Sequence, residues 1–432
     1  VPRLVVRPLE RFLQLEAGSA SLLLGAAVAA LVWANLAAGS YERFWTTTVS
    51  VELASFGLEE DLRHVVNDLL MAVFFYVVAL EVKRELLFGS LRDRRSALVP
   101  AAAALGTMVG GAFTYVTVNL VADGDLRGWA IPIATDIAFA VGVLGLAGRR
   151  APRELRAFML TLAVVDDLGT ILVIAVFFSE DLSLAWLGGA VGVALGIVVA
   201  RRIGVRALGV YVLLAAALWL AVFESGVHAT LAGVVLGFLT PAVAFQSSRR
   251  VSEVIGERLT EITDSDAEVS AGTLLETSRL AEEAVSPLAR MEERVHPWSA
   301  YVILPLFALA NAGVPVSLGG IADALSSPVG AGIALGLVIG APIGGILFAF
   351  AIVRLGPARI PNGLDWPAIA GVAPLKGIGF TIAIFISALA FEEQALEDQA
   401  KLAILAGSAA AAVIGLVVLH ARSVFLRRHA SG

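Results

Sequence analysis

The chain has 432 residues, 58% of them hydrophobic and only 16% charged. A water-soluble globular chain carries about 25% charged residues, so a freely soluble monomer is excluded. The net charge of −6 at pH 7 is too mild to imply a nucleic-acid partner, and the absence of cysteine removes disulfides, thiolate metal sites and cysteine nucleophiles.

The apolar residues fall in runs close to the ~20 residues that cross a ~30 Å hydrocarbon core. Many of the 42 glycines lie inside those runs, as is common where membrane helices pack closely. Twelve spans are expected: 18–38, 65–81, 97–119, 130–146, 157–178, 185–200, 207–222, 226–240, 298–314, 329–353, 368–391 and 400–421. The first residues lack the pattern of a cleaved signal peptide, so residues 1–17 read as a cytoplasmic segment before a retained first span. Residues 18–240 then hold eight spans, 241–296 a cytoplasmic insertion, 297–421 four further spans, and 422–432 a cytoplasmic tail. An even number of spans places both termini on one side. That side holds 26 Lys and Arg residues, whereas the other holds four, Arg43, Arg63, Arg127 and Lys401. The positive-inside bias makes both termini cytoplasmic.

Two connections stand out. In 39–63 the run from Phe44 to Leu53 favours a strand, leaving a short β-hairpin or an irregular loop as the two readings. The insertion at 241–296 is acidic. It reads as a tethered segment, with Leu274 to Arg294 able to form an amphipathic helix.

A charge at the bilayer centre costs at least ~2.5–3.5 kcal/mol, so charged residues inside spans usually face a pathway or a partner. Asp136 follows Pro132 in Ile131-Pro132-Ile133-Ala134-Thr135-Asp136. Pro132 removes a backbone donor and clashes with the preceding turn, so the fourth span is expected to be interrupted. Asp136 would then compensate the positive end of a half-helix, as a structural cap, a functional group, or both. Asp166 and Asp167 are adjacent; helical neighbours point about 100° apart, so both can border one wet cavity without sharing one contact. Two carboxylates at mid-membrane mark a functional site. Lys376 lies in Pro374-Leu375-Lys376-Gly377-Ile378-Gly379, which argues for a second interrupted helix. Its cation would neutralise carbonyl ends, pair with Asp166, or snorkel to the surface. Asp68, Glu81, Glu85 and His228 lie nearer span ends. Interfacial solvation accounts for the carboxylates, and ordinary hydrogen bonding for the histidine.

Two interrupted spans, one in each half, are the pattern of inverted-repeat transporters, with spans 3–5 and 10–12 as the paired units. These residues resemble the NhaA-type sodium/proton antiporters over roughly 17–241 and 287–425. The similarity runs through Asn67 to Phe75, Leu80 to Leu86, Thr135-Asp136, Asp166 to Gly169, Ser225 to Gly233, His296-Pro297-Trp298 and Phe307 to Gly313. The resemblance implies an all-α polytopic membrane protein of a bacterial inner membrane, with twelve helices, inverted repeats, and crossed, unwound fourth and eleventh spans. It implies exchange of intracellular sodium, or lithium, for external protons by alternating access. Asp166 and Asp167 would bind the sodium ion and the protons, Thr135 and Asp136 would support them, and Glu81, Glu85, His228 and Glu292 would take part in pH response. It also implies a homodimer joined through 39–63. The protein is expected to be a transporter and not an enzyme, without a cofactor. The sequence departs from the family in two ways. The insertion is long, and Ala341 stands where the family usually has a lysine. Lys376 is expected to take over that cation's place from a neighbouring helix.

Two other readings start from the same residues. A sodium/solute symporter would take up sodium together with an organic substrate. An intramembrane aspartyl protease needs two facing aspartates from different helices; adjacent Asp166 and Asp167 suit that poorly, although Asp136 with Asp166 could imitate it.

Overall fold

A computed structural model describes residues 2–430, except 54–55, 93, 147–152, 180, 206, 245, 248–250, 256–280, 282, 357 and 362. Among the described residues, seven helices are long and apolar enough to cross a bilayer: Gly18–Leu36, Leu62–Leu87, Ala97–Val121, Glu154–Phe177, Leu184–Arg202, Pro328–Leu355 and Gln394–Ala421. There are eight if Trp366–Gly377 and Phe380–Ala390, bent by 45° at their junction, form one crossing. At 1.5 Å per residue such helices match the hydrocarbon thickness. Large apolar side chains stay exposed along them, among them Leu24, Val28, Val32, Phe113, Leu195, Val199 and Leu347. The protein is a multi-pass helical membrane protein. The other expected spans are shorter or broken apolar elements, including Leu208–Phe223 and Thr230–Leu239.

The fourth expected span is not one helix. A tight 3-10 segment, Arg127–Ile133, contains Pro132 and ends at Ala134 in an extended conformation; an α-helix restarts at Ile137–Leu146. The eleventh breaks likewise: Trp366–Val372 tightens into a 3-10 turn at Ala373–Gly377, Ile378 is extended, and Phe380–Ala390 resumes the α-helix. Pro132 and Pro374 each lack the N–H that would continue a ladder.

Glycine controls how closely these pieces pack. A β-carbon on Gly106 would strike the Gly344 carbonyl, and one on Gly344 the Gly106 carbonyl; Gly110 and Gly340 stand in the same reciprocal relation. The Arg94–Val121 helix and the Pro328–Leu355 span therefore cross backbone against backbone. A second tight pair joins Met71–Leu87 to Thr230–Leu239, where Gly233 lies against the Ala72 carbonyl. Lys83 Nζ caps the end of that shorter helix, donating to the Phe238 carbonyl at 2.6 Å.

The 39–63 connection contains a helix, Ala38–Trp45, then a hairpin of strands Thr48–Leu53 and Phe56–Asp61. The strands pair antiparallel, from Thr48 opposite Asp61 to Leu53 opposite Phe56. Tyr41 anchors this lobe. Its hydroxyl donates toward the Leu309 and Ala310 carbonyls at 3.0 and 2.8 Å and accepts the Gly313 N–H at 3.2 Å. Burial pushes the hydroxyl up to about 12, so it keeps its proton at neutral pH.

Much of the insertion at 241–296 lies outside the described residues. The amphipathic stretch expected from Leu274 to Arg294 is described as a helix from Pro287, with 274–280 and 282 outside. Ser286 Oγ accepts the Ala289 N–H at 3.3 Å and Pro287 opens the helix. Pro287–Trp298 runs through a π-helical turn, Ser299–Ile303, into Leu304–Asn311.

Candidate ion-binding site

The two chain breaks meet. The Asp136 N–H donates to the Ile378 carbonyl at 2.6 Å, joining the extended segments directly. Gly379 fits there because a β-carbon would press on the Ala134 carbonyl, and a β-carbon on Gly377 would press on the Leu337 carbonyl. The Gly379 N–H is taken up by Ser408 Oγ at 3.2 Å. Backbone groups freed at membrane depth need such partners.

Asp136 serves two helix starts. Its Oδ1 accepts the Phe139 N–H at 3.1 Å, in the first turn of Ile137–Leu146, and its Oδ2 accepts the Thr381 N–H at 3.2 Å and the Thr381 hydroxyl, in the first turn of Phe380–Ala390. One buried carboxylate thus faces two positive helix ends.

Asp166 and Asp167 lie mid-way along Arg153–Phe177 and are 1% and 6% exposed. Asp166 is ion-paired through Oδ2 with Lys376 Nζ. Lys376 also donates to Thr135 Oγ1 at 2.8 Å, and the Thr135 hydroxyl donates to Asp166 Oδ2 at 2.8 Å, closing a triangle. Thr107 Oγ1 lies 3.2 Å from Asp166 Oδ1 and 2.7 Å from the Ala104 carbonyl. Lys376 is 3% exposed, so the surface-snorkelling reading fails; its cation is held inside against a carboxylate. Ala341, 1% exposed, begins the Ala341–Leu355 helix beside Gly340. The buried cation therefore comes from the broken helix. Glu81, Asp166, Lys376 and Asp136 all lie within electrostatic range of Asp167.

The four residues for which the resemblance implies a part in pH response separate. Glu81, Glu85 and Glu292 gather where Pro287–Trp298 meets Met71–Leu87. Arg84 is ion-paired with Glu292 and lies 3.5 Å from Glu85, and His296 Nε2 is 3.5 Å from Glu81 Oε1. Burial raises the Glu292 carboxyl above its ordinary range, and Arg84 only partly opposes this. His228 lies elsewhere. Its Nδ1 is 3.1 Å from Thr230 Oγ1, and it lines a cavity of about 480 Å³ with Asp68, Trp129, Phe177 and Glu392. Thr107 and Thr381 carry contacts that the sequence reading did not assign. Among the described residues no group of three or more His, Cys, Asp or Glu side chains could hold a metal ion.

The sequence profile of the Na+/H+ antiporter 1 family matches residues 10–419. The chain belongs to that family. This family member is 45% identical over 419 residues to the Na(+)/H(+) antiporter NhaA of Rhodopirellula baltica, covering 96% of this chain and 94% of that one. It is 42% identical over 425 residues to the Na(+)/H(+) antiporter NhaA 2 of Sorangium cellulosum, covering 96% and 90%. With the Na(+)/H(+) antiporter NhaA of Aeromonas hydrophila it shares 43% identity over 415 residues, covering 95% of both chains.

Proposed function

We propose that this family member is a sodium/proton antiporter in which Asp166 and Asp167 hold sodium or protons in alternation. The observation that carries the reading is the buried Lys376–Asp166–Thr135 triangle beside a second carboxylate. Lys376 balances Asp166, so the triad with Asp167 carries one net negative charge. One monovalent cation, a proton or sodium, brings it to neutrality. Sodium is a hard ion that takes oxygen ligands; carboxylates supply oxygen and charge, and the threonine hydroxyls and carbonyls freed at the breaks supply further oxygen. The two ions therefore compete for one place. Exchange follows if the site changes sides when loaded with either and stays when empty. Where a second proton also loads Asp166, two protons replace one sodium, one net charge moves per cycle, and a membrane potential contributes about 2.3 kcal/mol per 100 mV.

The wider reading has twelve spans, both termini in the cytoplasm of a bacterial cell, repeats formed by spans 3–5 and 10–12, and a homodimer through 39–63. The Lys and Arg distribution supports the orientation. The two broken spans and the reciprocal glycine contacts between spans 3 and 10 support the repeats. Asp136 and Thr135 hold the break, Lys376 supplies the balancing cation from the eleventh span, and the cluster of Glu81, Glu85 and Glu292 reads internal pH. His228, at the opposite face, would act there separately.

The test is a proteoliposome assay with a pH-sensitive dye. Sodium alone, without organic solute, dissipates an imposed pH gradient in the wild type, and the Asp166→Asn/Asp167→Asn variant is silent. A requirement for an organic solute would convert the reading to symport.

A further inference from the structure

We propose that the hairpin-side cavity binds an organic ammonium ion with apolar substituents, and that this occupant blocks exchange; only the block rests on the antiport reading. The cavity has a volume of about 480 Å³, within the roughly 300–1,000 Å³ of small-molecule sites. Asp166 and Asp167 do not line it. Asp68 does, within electrostatic range of Glu60, Asp61 and His64 where the hairpin rejoins the helical body. Among the described residues the Asp68 carboxylate accepts no hydrogen bond and forms no ion pair, although its main-chain carbonyl takes the Trp219 indole N–H at 3.1 Å. Glu392, also in the lining, is exposed and is likewise without a hydrogen bond or ion pair among the described residues. The arginine of the lining, Arg127, is already held by Asp125, with Nη2 2.8 Å from Oδ2. Two carboxylates are thus left facing the space without a bonded cation.

Other walls are aromatic. Trp129 and Phe177 meet edge to face, with centroids 5.1 Å apart and planes at 83°, so two walls stand near a right angle. Phe178 and Phe223 line the space at half-buried positions, and Trp219 stacks behind Phe223 at 5.3 Å. A hydrated inorganic cation gains little from such rings, and a neutral apolar molecule gains nothing from the carboxylates. An ammonium bearing methyl or aryl groups uses both: its substituents lie against the rings, and its charge is attracted by ring faces and carboxylates together. The lining also joins parts that must move. Trp129 lies before the break of the fourth expected span, in Arg127–Ile133, and Ala388 to Ala390 end Phe380–Ala390, after the break of the eleventh. Asp68 belongs to the Leu62–Leu87 span and Phe177 ends Arg153–Phe177. Alternating access rocks one bundle against another. An occupant wedged among these four elements holds them in one arrangement and is not itself carried.

The test uses radiolabelled benzyltrimethylammonium, measured by equilibrium dialysis against the full chain in detergent. Saturable binding of one probe per chain is expected. Asp68→Asn should weaken it at least fivefold, and Trp129→Ala at least tenfold, while Trp129→Phe stays within threefold of the wild type. Should Trp129→Ala fail to fold, Glu392→Lys, at an exposed position, should also weaken binding at least tenfold. An Asp166→Asn/Asp167→Asn variant, shown to be folded by its melting transition, should bind within threefold of the wild type. Absence of saturable binding overturns the proposal, as does binding indifferent to Asp68→Asn and Glu392→Lys. Loss of binding in the folded Asp166→Asn/Asp167→Asn variant overturns it too, since the probe would then sit at the ion site. In oriented proteoliposomes the permanently charged probe, at saturation on the hairpin side, should slow exchange at least tenfold. Exchange untouched by a bound probe overturns the block. A chain that binds the probe but is silent to sodium would overturn the antiport reading and leave the binding site standing.

Discussion

Lys376 is the residue on which the site's charge balance turns. Removing one member of a buried ion pair leaves the other uncompensated and costs about 3–5 kcal/mol, whereas removing both is far milder. Lys376→Met and Asp166→Asn should each lower the melting temperature in detergent, and the double variant should melt nearer the wild type than either single one. Additive losses across that cycle would mean that the two side chains are not energetically coupled. The pair was legible in the sequence because a lysine and two aspartates inside apolar runs have few inexpensive explanations. Thr107 and Thr381 were not. A threonine in a membrane helix usually bonds its own helix, and their partners Asp166 and Asp136 lie 59 and 245 positions away. The remaining cue for Thr381 was its place two residues after Gly379, at the start of a resumed helix.

At the scale of elements, Pro287–Trp298 docks on Met71–Leu87 through ionisable groups, and this contact should respond to pH. Burial lifts the Glu292 carboxyl above its unfolded range in spite of Arg84. The folded state therefore holds this proton more tightly than the unfolded state. The group's contribution to stability is complete below the ordinary glutamate value near ~4.3 and is lost as pH rises through the raised value. Glu292→Gln removes the ionisation. Melting temperatures of wild type and variant should diverge as pH rises through that window, the wild type falling more steeply; parallel curves would show that Glu292 does not titrate there. Sequence signals located the breaks well, because Pro132 and the Pro374 to Gly379 run act on their own backbone. They were less informative about the ninth span. There the helix from Pro287 passes through a π-helical turn into the membrane without a stop signal, so the expected start at 298 falls inside a continuous structure.

For the whole molecule, the charge asymmetry of the loops supports the proposed orientation, since each misplaced span would mix the basic and non-basic sides. The hairpin posed a different problem. A two-stranded ribbon is marginal by itself, so a strand-rich stretch of loop did not decide between hairpin and irregular chain. Among the described residues each strand keeps one unpaired edge, an invitation to further pairing. A second copy would satisfy it. Deleting 48–61 is expected to turn dimers into monomers by mass photometry while each chain keeps its exchange rate, because the carboxylates lie far along the chain in the helical body. Dimers that persist after the deletion would place the interface elsewhere.

The interlocked glycines near Gly106 and Gly344 carry a mechanical consequence. Two helices clasped main chain to main chain cannot ratchet by a turn, since any slippage would drive side chains into the opposing carbonyls. They form an axle, and Thr107, one residue past Gly106, ties Asp166 to it. A cycling transporter of this build must keep its ion cradle unbent and do its bending at the softer seams around the axle.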